Sequence, residues 1–385
     1  MFDFLKIEPE SFGIDVSDLS LKIAKLKRKK NFYTLSSWGK TSLEPGVIEE
    51  GKVRDKDIFI KEIKKAIQNV KGEKLKENNV IVSLPERKSF FQIIRMPKMS
   101  KKELETAVLF EAENYIPFAI NDVYLDFQIL PEDKNRFFAN SKSHFRQEEK
   151  TQDILISAFP RDIIDDYLEC FKGAGLVVQA MEVESQSIVR ALIRNEVSPF
   201  PIFIIDFGRS TTSFILFSGY SICFTSSIPL SSHSITERIA ELLKIDLKEA
   251  EKLKRKYGLD LSGKHKRSQK LKKIFQATEE ILSDLVKEIK KYFLYYQTHI
   301  NQIGPLPKEK EIKKVILCGR GANLKGLTTY LSLELGILTE LGNPWINILP
   351  QPLKEIPQIS YEESLGYVTA LGLALRGVKP EEDVL

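Results

Sequence analysis

The sequence has only three cysteines among its 385 residues. Cys170, Cys223 and Cys318 are odd in number, far apart and never arranged as Cys-x-x-Cys. That excludes a disulfide framework and a structural zinc site, and it points to a reducing compartment. The four histidines, His144, His233, His265 and His299, lack metal-ligand spacing and read as loop or core residues. There is no Walker loop and no Gly-x-Ser-x-Gly elbow. A strong excess of one charge is missing too: 58 Lys and Arg face 53 Asp and Glu, net +5, in a chain that is 42% hydrophobic. A disordered chain and a basic nucleic-acid arm are both excluded. The basic runs Lys25 to Lys30 and Lys264 to Lys273 accordingly read as a solvated hairpin tip and a loop. No long apolar run occurs either. The one uncharged stretch, residues 210 to 236, is about half Ser and Thr and contains the turn Ser218-Gly219-Tyr220, so it reads as two strands and a loop. The opening Met1-Phe2-Asp3-Phe4-Leu5 has no secretory-leader pattern, so a cytoplasmic protein is expected. Contact with a membrane would then run through a partner or a surface patch.

What is present is an internal echo. Phe12-Gly13-Ile14-Asp15-Val16-Ser17 returns, 191 residues later, as Phe203-Ile204-Ile205-Asp206-Phe207-Gly208. In both copies an apolar strand ends in Ile-Asp, a turn with small residues and hydroxyls follows, and a second strand begins at Ile23 or Phe214. Two related halves of an α/β protein are implied. Between these landmarks, Phe59, Ile63, Ala66 and Ile67 recur at helical spacing, and Val80-Ile81-Val82 reads as a buried strand. Ser100 to Glu103 is a capping box for a helix carrying Leu104, Ala107, Val108 and Tyr115 on one face, stopped by Pro117. Strands are expected at Val123 to Leu130 and Ile154 to Ala158, with a polar, mobile loop over 131–152. A helix over 161–172 closed by Gly173, a strand Leu176 to Ala180 and a helix Ile188 to Ile193 lead to a Pro199-Phe200-Pro201 linker. Ser234, Asp246 and Ser360 are expected to cap helices, a long helix spans Ile274 to Ile300, and the strand Val315 to Leu317 runs into Gly319-Arg320-Gly321 and a helix from Leu324.

Paired strand-ending aspartates beside small-residue turns suit one task, gripping a polyphosphate and its hydrated metal ion. Asp15 and Asp206 would hold Mg²⁺ through water. Ser20 and Lys22 would meet phosphate from one side, and Gly208, Ser210, Thr211 and Thr212 from the other. Gly319-Arg320-Gly321 is the kind of turn that brings backbone close to a flat ligand or a phosphate, and equally a tight strand-to-helix connection.

Taken together, these motifs resemble the actin-like ATPases. Phe12 to Asp15, Glu111-Ala112-Glu113-Asn114-Tyr115-Ile116-Pro117-Phe118, Leu125 to Leu130 and Leu371 to Gly377 resemble, within that group, the PilM family of type IV pilus assembly. The resemblance implies an actin-like ATPase fold, two related halves around a nucleotide cleft, with an inserted subdomain in the first half. It implies ATP and Mg²⁺ as ligands, at most weak ATPase activity, and a place for Glu184 near the metal as the one catalytic candidate. It also implies that Glu251 and Lys254, otherwise a solvated helix face, contact the ribose. Ser17 stands where the family usually has Gly, and Arg320 replaces the middle Gly of the adenosine loop, free to stack on adenine, pair with phosphate or fill the pocket.

As partner, the resemblance implies the N-terminal cytoplasmic tail of the inner-membrane protein PilN, in a groove walled by Glu111, Tyr115, Ile116, Pro117 and Phe118. Other pilus platform proteins and further copies of the chain are additional expected partners, nucleic acid is not, and the site of action would be the cytoplasmic face of the inner membrane, in twitching motility. The expected subdomains are 1–85 with 174–198, the insertion 86–173, 199–233 with 311–385, and a helical 234–310. An FtsA-like division filament is the rival reading and a kinase of this fold a weaker one. The polar, acidic stretch Gly377 to Asp383 does not resemble the membrane-binding helix of FtsA.

Overall fold

The computed structural model describes residues 10–30, 32–130, 151–260, 268–299, 310–353 and 355–378. The opening pentapeptide, nearly all of the expected 131–152 loop, residues 264–267 of the second basic run and 379–383 of the acidic stretch lie outside the described residues.

Two sheets form the halves. The first has the strand order Val177–Val183, Asn79–Leu84, Ser11–Ser17, Ser20–Lys29, Phe32–Ser42, Lys71–Gly72. Ser11–Ser17 lies parallel to Asn79–Leu84 and antiparallel to its hairpin mate Ser20–Lys29. The second sheet runs Ser221–Ile228, Thr212–Gly219, Ser198–Phe207, Lys314–Cys318, Leu338–Leu341. Ser198–Phe207 repeats the arrangement, parallel to Lys314–Cys318 and antiparallel to Thr212–Gly219. The sequence echo is thus a structural one, and it carries Asp15 and Asp206 to the turn ends of two equivalent hairpins. Asn79–Leu84 is covered on both faces, which is why Val80-Ile81-Val82 is uninterrupted by polar residues.

Local sequence explains the surrounding helices. Lys56–Gln68 starts where the Asp55 carboxylate accepts the Ile58 amide at 2.9 Å, and it buries Phe59, Ile63 and Ala66. Phe59 meets Tyr167 and Phe171 of the helix Arg161–Gly173 edge-on, closing the core of the first half. The helix Gln269–His299 buries Leu271, Ile274, Ala277, Leu282, Leu285 and Ile289 against the second sheet. Within the first half of the sequence stands a separate three-stranded sheet, Phe90–Pro97, Thr151–Pro160, Val123–Ile129, crossed by the helix Lys101–Ala112. Its capping box is formed: the Ser100 hydroxyl accepts the Glu103 amide and the Glu103 carboxylate accepts the Ser100 amide at 2.9 Å.

Several local expectations are corrected. Pro199-Phe200-Pro201 is no linker but part of the strand Ser198–Phe207, and both prolines sit where the ladder register is interrupted between Ser198 and Ile202, so no ladder donor is lost. The helix Arg161–Gly173 is closed by Gly175, at φ +86°, and not by Gly173, which lies against Ile60. Ser231, three residues before Ser234, caps Ser232–Leu243. Lys270 to Lys273 belong to the long helix and not to a loop. The helix expected from Leu324 starts at Leu327, after a single turn over Arg320–Asn323. The helix Lys101–Ala112 ends five residues before Pro117, so Tyr115 leaves its buried face and is exposed.

The final helix, Val368–Arg376, follows the second sheet but packs on the first half. A Cβ on Gly13 would stand 2.6 Å from that of Leu373, and one on Gly372 would stand 1.9 Å from the Ser187 carbonyl oxygen, so both sites require glycine for close approach. Glu182, buried, joins the contact: one of its oxygens accepts from Arg190 at 2.5 Å and the other from Arg376 at 2.6 Å, while Arg190 also reaches the Gly372 carbonyl oxygen. Among the described residues no helix is long and apolar enough to cross a membrane.

Candidate functional site

The turns of both hairpins open onto one cleft of about 1080 Å³ between the sheets. At its floor Asp15, almost wholly buried, accepts from the Lys22 ammonium at 2.6 Å and from the Ser83 hydroxyl at 3.3 Å, and Ser83 accepts the Val16 amide at 2.8 Å. Lys22 faces Asp206 and Glu184 as well. Burial opposes its charge, but Asp15, then Asp206 and Glu184, raise its pKa above the ordinary lysine value. Burial pushes Asp206 up to about 6 against the pull of Lys22, with Asp15 adding to the rise, and the Cys318 thiol hydrogen-bonds its carboxylate. Glu184 is raised well above the carboxylate range, first by burial, then by Asp15, Asp206 and Glu86. Glu86, whose carboxylate accepts the Ser185 amide at 3.1 Å, is raised by burial in turn.

Three carboxyl groups therefore share one ammonium, with Glu86 adding its charge through Glu184. Such a floor has spare affinity for positive charge. Among the described residues no three His, Cys, Asp or Glu side chains converge closely enough to hold a bare metal ion. The donor set suits a hydrated divalent ion rather than a bare one.

The turns provide the second ingredient. In the first, the Ser17 hydroxyl bonds the Ser20 carbonyl and hydroxyl, both at 3.0 Å, while the Asp18 carboxylate accepts the Glu50 and Gly51 amides. None of residues 17 to 20 has positive φ, so the conformation itself does not call for glycine at Ser17. In the second, Gly208 donates to Thr211 O at 3.0 Å, and a Cβ there would stand 2.6 Å from the same oxygen. Ser210 and Thr211 line the cleft. Thr212 does not: its buried hydroxyl donates to Leu230 O at 2.6 Å and fixes the turn to the strand beyond. Gly319 has φ +79°, and a Cβ on Gly321 would stand 2.5 Å from Phe207 O, so this turn presses backbone to backbone against the aspartate-bearing strand. Arg320 between them is exposed and lays its stem across Gly366.

The solvated-face reading of Glu251 and Lys254 is overturned for Lys254. It is buried, donating to Ser232 O at 2.6 Å, Thr236 Oγ1 at 2.8 Å and Glu251 at 2.7 Å, and burial lowers its pKa despite Glu251. Glu251, half-exposed at the cleft wall, also accepts from Thr236 at 2.7 Å.

The residues expected at the partner groove lie elsewhere, at and just past the end of the helix Lys101–Ala112. Tyr115, Pro117 and Phe118 are exposed and Glu111 is partly so, and exposed Leu109 and Phe110 adjoin them in the sequence. Ile116 does not reach solvent with Phe118. It is buried in the core of the three-stranded unit beside Leu104 and Val108. Sequence reading missed Ser83 and Glu86, both at the end of the strand Asn79–Leu84, and Lys40 and Arg209 on the cleft walls. For Lys40 a signal existed, since a hairpin register places it opposite Lys22.

Two equivalent hairpins facing each other across a cleft, each with an aspartate at its turn, define the class: an actin-like ATPase fold. The solved ethanolamine utilization protein EutJ of Carboxydothermus hydrogenoformans shares it (TM-score 0.50, 15% identity, 96% of this chain and 90% of that one), as does MreB5 of Spiroplasma citri bound to AMPPNP (0.51, 12%, 96% of each). Within the class, residues 13–378 match the family model for Type IV pilus assembly protein PilM, and the chain belongs to that family. It is similar over 97% of its length, and all of the other chain, to a structure of a PilM-PilN type IV pilus biogenesis complex, with 27% identity and a TM-score of 0.76. Cell division protein FtsA of Helicobacter pylori is 28% identical over 161 residues, 41% of this chain, and the chain spans only 30% of that relative's length.

Proposed function

We propose that this PilM-family protein is a nucleotide-binding scaffold of pilus assembly that takes ATP with Mg²⁺ in its cleft and holds the cytoplasmic N-terminal tail of PilN on its inserted subdomain. The observation that carries the first part is the cleft floor, where Asp15, Asp206 and Glu184 face the ammonium of Lys22, with Glu86 behind Glu184, beneath two turns rich in hydroxyl and amide groups. Bound Mg²⁺ supplies charge neutralisation for a polyphosphate. Ser20 and the Gly208 to Thr211 turn present donors to phosphate oxygens, the close-packed Gly319 and Gly321 leave room for a base, and Glu251 with Lys254 offers a rigid polar edge to ribose hydroxyls. Burial and its acidic neighbours raise the Glu184 carboxyl well above the usual carboxylate range, and it is the one catalytic candidate at this floor.

The second part draws support from the relative solved with PilN and from the exposed Tyr115, Pro117 and Phe118. An extended tail would be held by backbone hydrogen bonds and side-chain pockets, placing the protein at the cytoplasmic face of the inner membrane. In this reading the working units are 1–85 with 174–198, 86–173, 199–233 with 311–385, and 234–310. Isothermal titration tests the nucleotide site: heat is expected with ATP or ADP in Mg²⁺, and none with either refutes it. For the tail, a synthetic PilN N-terminal peptide should bind a Glu111→Ala, Phe118→Ala double variant more weakly than the parent, and equal binding moves the groove elsewhere.

A further inference from the structure

Two cations outside the roles assigned above reach the cleft, and a third faces them. Lys40, on the strand Phe32–Ser42, pairs in register with Lys22 and is exposed at the cleft wall of the first half. From the second half come Arg209, in the turn of the second hairpin, and Arg320, from the glycine turn. All three are exposed. Among the described residues none of the three has an ion-pair partner, whereas Lys22 and Lys254, deeper in the same cleft, are each paired with a carboxylate. The charges facing Lys40 are Arg320, Lys22 and Arg209, with Asp15 the one acid opposing them. Burial against the cleft walls, then Arg320, Lys22 and Arg209, push the Lys40 ammonium down to about 8. Like charges from both halves thus reach one space, and among the described residues none of the three is paired with the carboxylates that line it.

Building on the nucleotide reading, we propose that Lys40, Arg209 and Arg320 form a clamp across the cleft that grips a phosphate chain and makes affinity rise steeply with the number of phosphates. A polyanion between the walls replaces three repulsions by charge-assisted hydrogen bonds, and the replacement grows with ligand charge. Gly319, Gly321, Glu251 and Lys254, assigned above to base and ribose, are not among the clamp's three residues. Lys40 is the residue on which to test it, because it is exposed and makes no hydrogen bond or ion pair with the floor carboxylates Asp15 and Asp206.

The experiment titrates ATP, ADP and AMP, each with Mg²⁺, into the full chain and into its Lys40→Met and Lys40→Arg variants, after melting curves confirm that each variant folds. The expected result is a loss of about tenfold in ATP affinity for Lys40→Met, a smaller loss for ADP, near-unchanged AMP binding, and recovery with Lys40→Arg. Lys40→Gln stands in for Lys40→Met should the latter not fold. Unchanged affinity for all three nucleotides, or an equal loss for all three including AMP, overturns the clamp while leaving the nucleotide site standing. If the parent chain binds none of the three, the underlying nucleotide reading falls instead.

Discussion

Gly319 couples stability to the site, and replacing it with alanine separates two physical costs. Its backbone stands at φ +79°, ψ 163°, a region essentially restricted to glycine, where any other residue is strained by about 1–3 kcal/mol. The added Cβ would also stand 2.2 Å from Asp206 Oδ1 and 2.7 Å from Phe207 O. Because one of those atoms is backbone, the strand must shift, at a crowding cost of about 1–3 kcal/mol. Gly319→Ala should therefore lose about 4 kcal/mol in urea unfolding. Two controls divide that loss. Gly46, at φ +94° with nothing within 4 Å of an added Cβ, reports the backbone cost alone, about 1 kcal/mol for alanine. Gly321 has ordinary φ, but its Cβ would lie 2.5 Å from Phe207 O, and it reports the crowding alone. The displaced Asp206 carboxylate should also abolish nucleotide heat while the protein is still folded. If Gly319→Ala costs no more than Gly46→Ala, close approach to the aspartate-bearing strand is not what demands glycine here.

Three further outcomes are expected. Glu182→Gln leaves buried Arg190 with only Glu196, at 3.9 Å, and deprives Arg376 of its carboxylate, and should lose about 3 kcal/mol. Burial works to raise the Glu182 carboxyl, yet Arg190 and then Arg376 hold it below the usual 4.5. Its contribution is therefore present above about pH 4.5 and vanishes as pH falls through the depressed folded value, so the urea-stability gap between parent and variant should close in acid, and a gap independent of pH contradicts this. Asp206 is the opposite case: a carboxyl raised from 3.8 to about 6 contributes stability at low pH that is lost as pH climbs through 6, a deficit of up to about 3 kcal/mol at neutrality. Asp206→Asn should melt higher than the parent at pH 7 without Mg²⁺ and no higher at pH 4, and a lower melting point at pH 7 would count against the sign. Ser100→Ala should cost about 1 kcal/mol and speed hydrogen exchange at the Glu103 amide, with unchanged exchange speaking against the capping box.

The floor of the cleft was legible because it rests on repetition: two Ile-Asp strand ends at half-chain spacing need no knowledge of packing to be matched. The covering residues were less so. Lys254 reads as surface on any helical wheel, since its neighbours Lys252, Arg255 and Lys256 are charged, and only the docking of Ser232–Leu243 against its helix buries it. Thr212 looked like a phosphate ligand beside Ser210 and Thr211, but strand alternation turns its hydroxyl away toward Leu230. Ile116 belongs to a motif that stands out as a string of letters, yet its place in the core depends on where the helix stops, and Pro117, the one sequence mark of that end, lies five residues past it. Prolines at residues 199 and 201 imitate a linker for the same reason: an interrupted ladder is a property of the partner strand.

The seating of Val368–Arg376 against Gly13, Ser187 and Glu182 bears on how the chain is made. During synthesis the first sheet emerges early but lacks one of its walls until residue 376 has been added. Its aliphatic surface around Gly13, and the Glu182–Arg190 pair without Arg376, must wait, exposed, through the translation of the entire second half. The two halves are therefore not separable cassettes: an isolated first half would be born with an open seam, and a genetic dissection at the midpoint would yield neither piece intact.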